Sequence, residues 1–412
     1  MSEAEETPSA KEKRYPSRDR SATKRYAPYS IKPTKSRHPT YYPPGDSEAQ
    51  STAQSPFADD QVSSLTPTPT LNRSSSPSKT IRIRDLQYTE PSILFCSSEQ
   101  FRRDFNCLPP QKVMDVQKSI RDAIGCQAVI PINVKGDLES MLLSIGANLP
   151  HPSSYQYDHF YSITEANKML QTVIKLKAKS QELIATDEVN YADGVARKIL
   201  KMICKRSEFQ GQVSLWNMTT MPIQPVHICL SDWNKSPIHK RIDYVLGVQF
   251  SSDQNMVMKA AFKRLPQDER SINQTLSKTV SRWGVFMAVE VKKLYAGADP
   301  RVQLATWFAA DVKKKQHHQW DLSTPGIGLE FDGDTVRAYI AFWDMKSSNL
   351  VMLGPERLGD FATEVDIFKL FHVLMAIARW GQTTFKSDLE KNVLGPLGIL
   401  ASKEDNEPGE NS

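Results

Sequence analysis

Cysteine is scarce and poorly spaced for pairing. Cys96, Cys107, Cys126, Cys204 and Cys229 contain no CxxC pair. An odd, scattered set argues against a disulfide framework or a zinc site and fits a reducing compartment, nuclear or cytoplasmic. Long apolar runs are missing too. No stretch approaches the ~20 apolar residues that a membrane span requires, and the polar N-terminus has no apolar signal core. The expectation is a soluble intracellular protein without a membrane partner. Internal repeats are absent. Strong charge is also lacking: a net +5 over 412 residues does not by itself identify a nucleic-acid partner.

Aliphatic residues are sparse in the first eighty positions, where Ile31, Val62 and Leu65 stand among Pro, Ser, Thr, Lys and Arg. Such a segment buries too little apolar surface to offset chain entropy, so residues 1–80 are expected to be a disordered tail, as are residues 403–412. Basic residues cluster in the tail at Lys11, Lys13, Arg14, Arg18, Arg20, Lys24 and Arg25. That pattern suits nuclear import or nonspecific phosphate binding, and equally a plain solvated tail.

What remains divides into a helical lead-in, residues 81–180, and a core, residues 181–402. In the lead-in, Val113–Ile124 has helical spacing with Gly125 as a stop, and 128–132 is a short extended run. Ser162-Ile-Thr-Glu165 is a capping-box pattern opening a helix toward Leu183. In the core, Asp187–Arg206 carries an apolar stripe at Val189, Ala192, Val195, Ile199 and Met202-Ile203. β-prone runs follow at 212–218, 239–250 and 285–294, with a polar insertion at 252–279. Asp299-Pro300 is an N-cap and first-turn proline for a helix through about Lys314. Asp332-Gly-Asp334 marks a turn between strands, 336–343 and 350–353 are strands, and 365–380 is a strongly apolar helix. This order predicts an α/β (α+β) domain, a mixed central sheet flanked by helices.

The chemistry concentrates in Met287-Ala-Val-Glu290-Val-Lys292. On a strand, Glu290 and Lys292 share one face while Val289 and Val291 share the other. Asp243 opens another β-rich run. Two carboxylates and a lysine on adjacent strands can hold a divalent cation and position a water against a phosphate. The bland reading of the same trio is a cross-strand ion pair at a sheet edge. Two similar triplets compete: Asp311-Val-Lys313 lies in a helix, where i and i+2 do not share a face, and Asp344-Met-Lys346 has the composition of a hairpin tip. Glu188 falls near the azimuth of the buried stripe and is either a site residue or one favoured by the helix dipole. Gln303, one turn from Trp307 in an apolar helix, is hydrogen-bonded in the core or faces a polar site. Lys313-Lys-Lys315 reads as a solvated helix end, with phosphate contact as the sharper option.

These pieces together resemble the PD-(D/E)XK nuclease superfamily, and within it a group of fungal nuclease-like proteins. The similar segments are Asp187–Val195, Lys240–Leu246, Phe286–Lys293, Gln303–Trp307 and Ile367–Trp380, spanning roughly residues 90–390. The resemblance implies a restriction-endonuclease-like core and metal-dependent hydrolysis of phosphodiester bonds in nucleic acid. It implies Asp243 and Glu290 as ligands of Mg2+ (or Mn2+), Lys292 as the residue orienting or activating water, Glu188 as an outer carboxylate, and Gln303 as a supporting residue. Two departures stand out: Ile242 takes the place of the superfamily's proline, and the interval from Asp243 to Glu290 is long. The alternative is a catalytically inactive binding or scaffold protein on the same fold. The oligomeric state is left open.

Overall fold

The computed structural model describes residues 81–156, 161–184, 187–232, 234–292 and 299–395. The expected disordered segments, 1–80 and 403–412, lie outside these residues. Among the described residues there are nine strands: β1 (Ile93–Cys96), β2 (Ile130–Pro131), β3 (Tyr155–Gln156), β4 (Val213–Asn217), β5 (Tyr244–Val248), β6 (Gly284–Lys292), β7 (Gly326–Asp332), β8 (Thr335–Asp344) and β9 (Asn349–Asp360). The α-helices are α1 (Ser98–Phe105), α2 (Gln111–Gly125), α3 (Lys135–Ser144), α4 (Ile163–Leu183), α5 (Glu188–Tyr191), α6 (Arg197–Cys204), α7 (Ser252–Lys263), α8 (Pro300–His317), α9 (Glu364–Trp380) and α10 (Lys386–Leu389).

Seven strands form one mixed sheet in the order β1-β9-β8-β7-β6-β5-β4. The β1–β9 and β6–β7 pairs are parallel, and the rest are antiparallel. The mixed sheet flanked by helices is the architecture expected from the order of elements. Strand β1 was not foreseen: Ile93-Leu-Phe-Cys96 is too short to show an alternating pattern, yet it hydrogen-bonds along β9 and ties the lead-in to the sheet. Strand β9 is also longer than the apolar run 350–353, continuing through Gly354-Pro355 to Asp360.

Local chemistry explains the boundaries. Ser162 Oγ accepts from the Glu165 N–H at 3.2 Å while Glu165 accepts from the Ser162 N–H, so the capping box forms as the sequence indicated. Asp299 accepts from the Arg301 N–H at 3.0 Å, and Pro300 occupies the first turn of α8. Helices α5 and α6 are one continuous helix interrupted by a π-helical turn at Ala192–Ala196. The Asp344 carboxylate accepts from the Ser347 N–H and hydroxyl, which confirms the Asp344 triplet as a hairpin tip.

Apolar layers cover both faces of the sheet. On one face Met287, Val289 and Val291 of β6 and Ile327, Leu329 and Phe331 of β7 join the cores of α2, α4, α6 and α9. On the other, Ala288, Tyr339, Ala341 and Met352 pack with Leu304, Ala305 and Phe308 of α8. Gly328 makes that approach close, since a Cβ there would lie 3.2 Å from Phe308 and 3.3 Å from Leu304. Helix α8 is buried nearly all round, as its apolar sequence requires.

The lysine run at the end of α8 is not the solvated terminus expected. Lys314 and Lys315 are buried, Lys315 pairs with Asp311 at 2.7 Å, and Lys313 donates to the Cys229 carbonyl. The terminus packs against the segment around Cys229, contacts that a sequence pattern does not reveal.

Candidate active site

Strand alternation places the apolar residues of β6 and β7 on the α2/α4/α9 face. Ala288, Glu290 and Lys292 therefore share the α8 face with Gly328, Glu330 and Asp332. Tyr244 stands opposite Val289 in the antiparallel β5–β6 ladder. Asp243, one residue before β5, thus comes beside Glu290, one residue further along β6. The N–H of Val291 donates to Asp243 Oδ2 at 2.9 Å, so the carboxylate continues the ladder where the backbone of β5 ends. This pair of strands lies inside the sheet and not at its edge.

Lys292 Nζ donates to two carboxylates, Glu290 Oε1 at 2.7 Å and Glu188 Oε1 at 3.0 Å. Glu188 comes from the first turn of α5, where Asp187 caps the helix by accepting from the Asn190 N–H. Its place beside the buried stripe therefore brings it to the β6 lysine. The side chains of Glu290 and Lys292 are 2 % and 6 % exposed, whereas Glu188 is 21 % exposed and forms the solvent edge of the group. The structure thus joins Asp243, Glu290, Lys292 and Glu188. Gln303 is half-buried on α8, and among the described residues no hydrogen bond ties it to the other four.

The electrostatics follow from burial. Desolvation first, and then the neighbouring Asp243 carboxylate, push Glu290 up to about 8 against the opposing pull of Lys292. Burial by itself would lower the Lys292 ammonium, but Glu290, Glu188 and Asp243 outweigh it and hold it above its ordinary value. Glu290 Oε2 is fully buried and accepts no hydrogen bond from any described residue. A buried carboxylate oxygen without a donor is costly, and a bound cation is one of the few groups that would relieve it. Hard oxygen donors of this kind suit Mg2+ or Mn2+.

The polar row extends further than the sequence suggested. In the parallel β6–β7 ladder Glu330 lies beside Glu290 and Asp332 beside Lys292. Arg337 of β8 donates to Glu330 Oε1 and Asp332 Oδ2, each at 2.9 Å, and the Tyr339 hydroxyl donates to Glu330 Oε2 at 2.8 Å. Burial raises Glu330, and Tyr339 and Arg337 restrain the rise. Arg301, in the first turn of α8, lies close enough to Glu330 to feel its charge. A signal existed in the alternation Gly328-x-Glu330-x-Asp332 facing Arg337-x-Tyr339. Its relation to Glu290 depends on the parallel β6–α8–β7 crossover, which local pattern does not encode.

Two internal strands thus present Asp243 and Glu290-x-Lys292 together, with a helical glutamate closing the group. A family model for the PD-(D/E)XK nuclease superfamily matches residues 148–386, more than half of the chain, and this protein belongs to that superfamily. The match contains all five candidate residues and begins well after β1, later than the resemblance had suggested. No curated protein matches the chain.

Proposed function

We propose that this protein is a metal-dependent phosphodiester hydrolase acting on nucleic acid inside the cell, in the nucleus or cytoplasm. The observation that carries the proposal is the buried Glu290–Lys292–Glu188 group beside Asp243, with Glu290 Oε2 lacking a donor. Asp243 and Glu290 would hold a divalent cation, with Glu188 as the outer carboxylate. When bound, such an ion supplies positive charge to the phosphate under attack. The chain's own groups do the rest. Lys292, held as an ammonium by its carboxylates, donates hydrogen bonds that orient the attacking water and stabilise charge on the phosphate oxygens. In that state it positions the water and does not accept its proton.

A second reading keeps the fold and drops the catalysis. Lys292 already pairs with Glu290 and Glu188 at 2.7 and 3.0 Å, so the group also works as a buried ion pair network of the kind a scaffold would keep. Cleavage assays on single- and double-stranded DNA and RNA with Mg2+ or Mn2+ separate the two. The hydrolase predicts metal-dependent cutting by the wild type. It also predicts that Lys292→Ala abolishes cutting while leaving nucleic-acid binding largely intact, because orientation of water acts mainly in the transition state. Asp243→Asn should lose cutting through metal affinity, with partial rescue by excess metal that Lys292→Ala does not show. A wild type that binds no divalent cation and cuts none of these substrates overturns the proposal.

A further inference from the structure

At the C-terminal end of α8, away from the carboxylate group at its N-terminal side, the fold gathers a different set of donors. His317 ends the helix and His318 follows it. Glu269 arrives from the short 3-10 turn Gln267–Glu269, and His227 from the 3-10 turn Val226–Ile228. Three stretches far apart in sequence therefore meet at one spot. Donor atoms of Glu269, His317 and His318 all lie within 4.8 Å of one another. His317 Nε2 is 3.4 Å from Glu269 Oε1. The His227 ring centre lies 4.8 Å from that of His317, whose own centre is 5.0 Å from that of His318. Trp320 stacks on the His318 ring at 4.6 Å and 18°, which holds that imidazole in place.

We propose that Glu269, His317 and His318, joined by His227 through rotation of its exposed side chain, form a second metal site that takes Zn2+, clipping the end of α8 to the two turns. Zinc bonds of 2.0–2.1 Å in a tetrahedron set donors about 3.3 Å apart. The Glu269–His317 pair already has that spacing, and the half-exposed His317 side chain has room to turn toward the others. Three imidazoles and a carboxylate suit zinc and its late transition-metal neighbours, not the magnesium fitted by an all-oxygen set. With four protein ligands the site is closed, and its role is structural. It uses no cysteine, so cysteine spacing gave no sign of it.

Lys313 and Lys314 are the cations nearby, and Asp268, Glu269 and Asp311 face them. Burial pushes the Lys314 ammonium down to about 8, so it stays mostly charged near pH 7, and the Asp268 and Asp311 carboxylates offset it. Burial, followed by the charge of Lys314, brings His318 down to about 4, so its ring offers a neutral donor near pH 7.

The test uses the full-length protein stripped of metal and titrated with Co2+, then with Zn2+ as competitor. Tetrahedral, nitrogen-ligated cobalt absorbs strongly in the visible, whereas an oxygen-rich carboxylate site does not produce that spectrum. The expected result is one equivalent of the tetrahedral signal in wild type, displaced by one equivalent of Zn2+, with a rise in Tm on zinc addition. His317→Ala and Glu269→Gln should each weaken binding by roughly tenfold or more, since even changes to groups behind the ligands cost that much. Asp243→Asn should leave the signal intact. His317 is substantially exposed, so its alanine variant should keep the fold, and circular dichroism checks this. The proposal is overturned if wild type gives no tetrahedral signal. It is overturned equally if folded His317→Ala and Glu269→Gln bind like wild type, or if Asp243→Asn removes the signal.

Discussion

Replacing Lys292 with methionine in metal-free protein removes the ammonium 2.7 Å from Glu290 and keeps most of the side-chain volume. In the wild type Glu290 is pushed from 4.5 up to about 8. A carboxyl raised by folding adds stability that is fully present below its unfolded value and is lost as pH rises toward the folded value. Between pH 4.5 and about 8 the folded state keeps a proton that the unfolded chain has released. Each unit in that window removes about 1.4 kcal/mol of this group's contribution, and the decline stops above it. Lys292 does not disturb the window. Its own pKa is raised by folding, so its contribution is present below 10.5 and is lost only above that. In Lys292→Met, Glu290 loses both the neighbouring charge and the hydrogen bond that restrained it, and its pKa moves higher. The variant therefore goes on losing stability past pH 8 while the wild type, so far as this group is concerned, levels off. Urea unfolding in EDTA at pH 6, 7, 8 and 9 should show a roughly constant gap up to about pH 8. Above that, the gap should widen by up to about 1.4 kcal/mol per unit. Curves that stay parallel through pH 9 would refute the account of Glu290.

Three further substitutions probe the frame around the site. Gly381→Ala would place a Cβ 2.7 Å from the Phe286 ring, itself packed among Trp380 and Phe385. Despite better helix propensity, unfolding should show a net loss of about 1–3 kcal/mol, and a gain in Tm would contradict the packing described. Tyr339→Phe removes a donor from the buried Glu330 and should cost about 1–3 kcal/mol, with Glu330 titrating still higher by NMR. Ser162→Ala should cost about 1 kcal/mol through the lost cap of α4, and a helix equally stable without it would show that Glu165 and packing suffice.

Local patterns determined a large part of this protein. The Ser162 box, the Asp299-Pro300 start of α8 and the Asp344 hairpin are short-range hydrogen-bonding arrangements, so residues within four positions specify them. Alternation along β6 likewise places Glu290 and Lys292 on one face, whatever surrounds the strand. Other features depend on which strand lies beside which. The parallel β6–β7 pairing sets Glu330 beside Glu290, and β1 joins β9 from more than 250 residues away. The salt bridge from Glu188 to Lys292 joins residues more than a hundred positions apart, and only the packing of α5 at the end of β6 decides it. The same holds for His227, Glu269 and His317, which no spacing rule connects. Lys314 shows the limit from the other side: its charge predicts solvent, yet the packing of α8 buries it. Sequence alone determined which side chains each strand and helix could offer to one face. Tertiary structure decided which faces meet, because that choice minimises the exposed apolar area of the whole chain and not of any one segment.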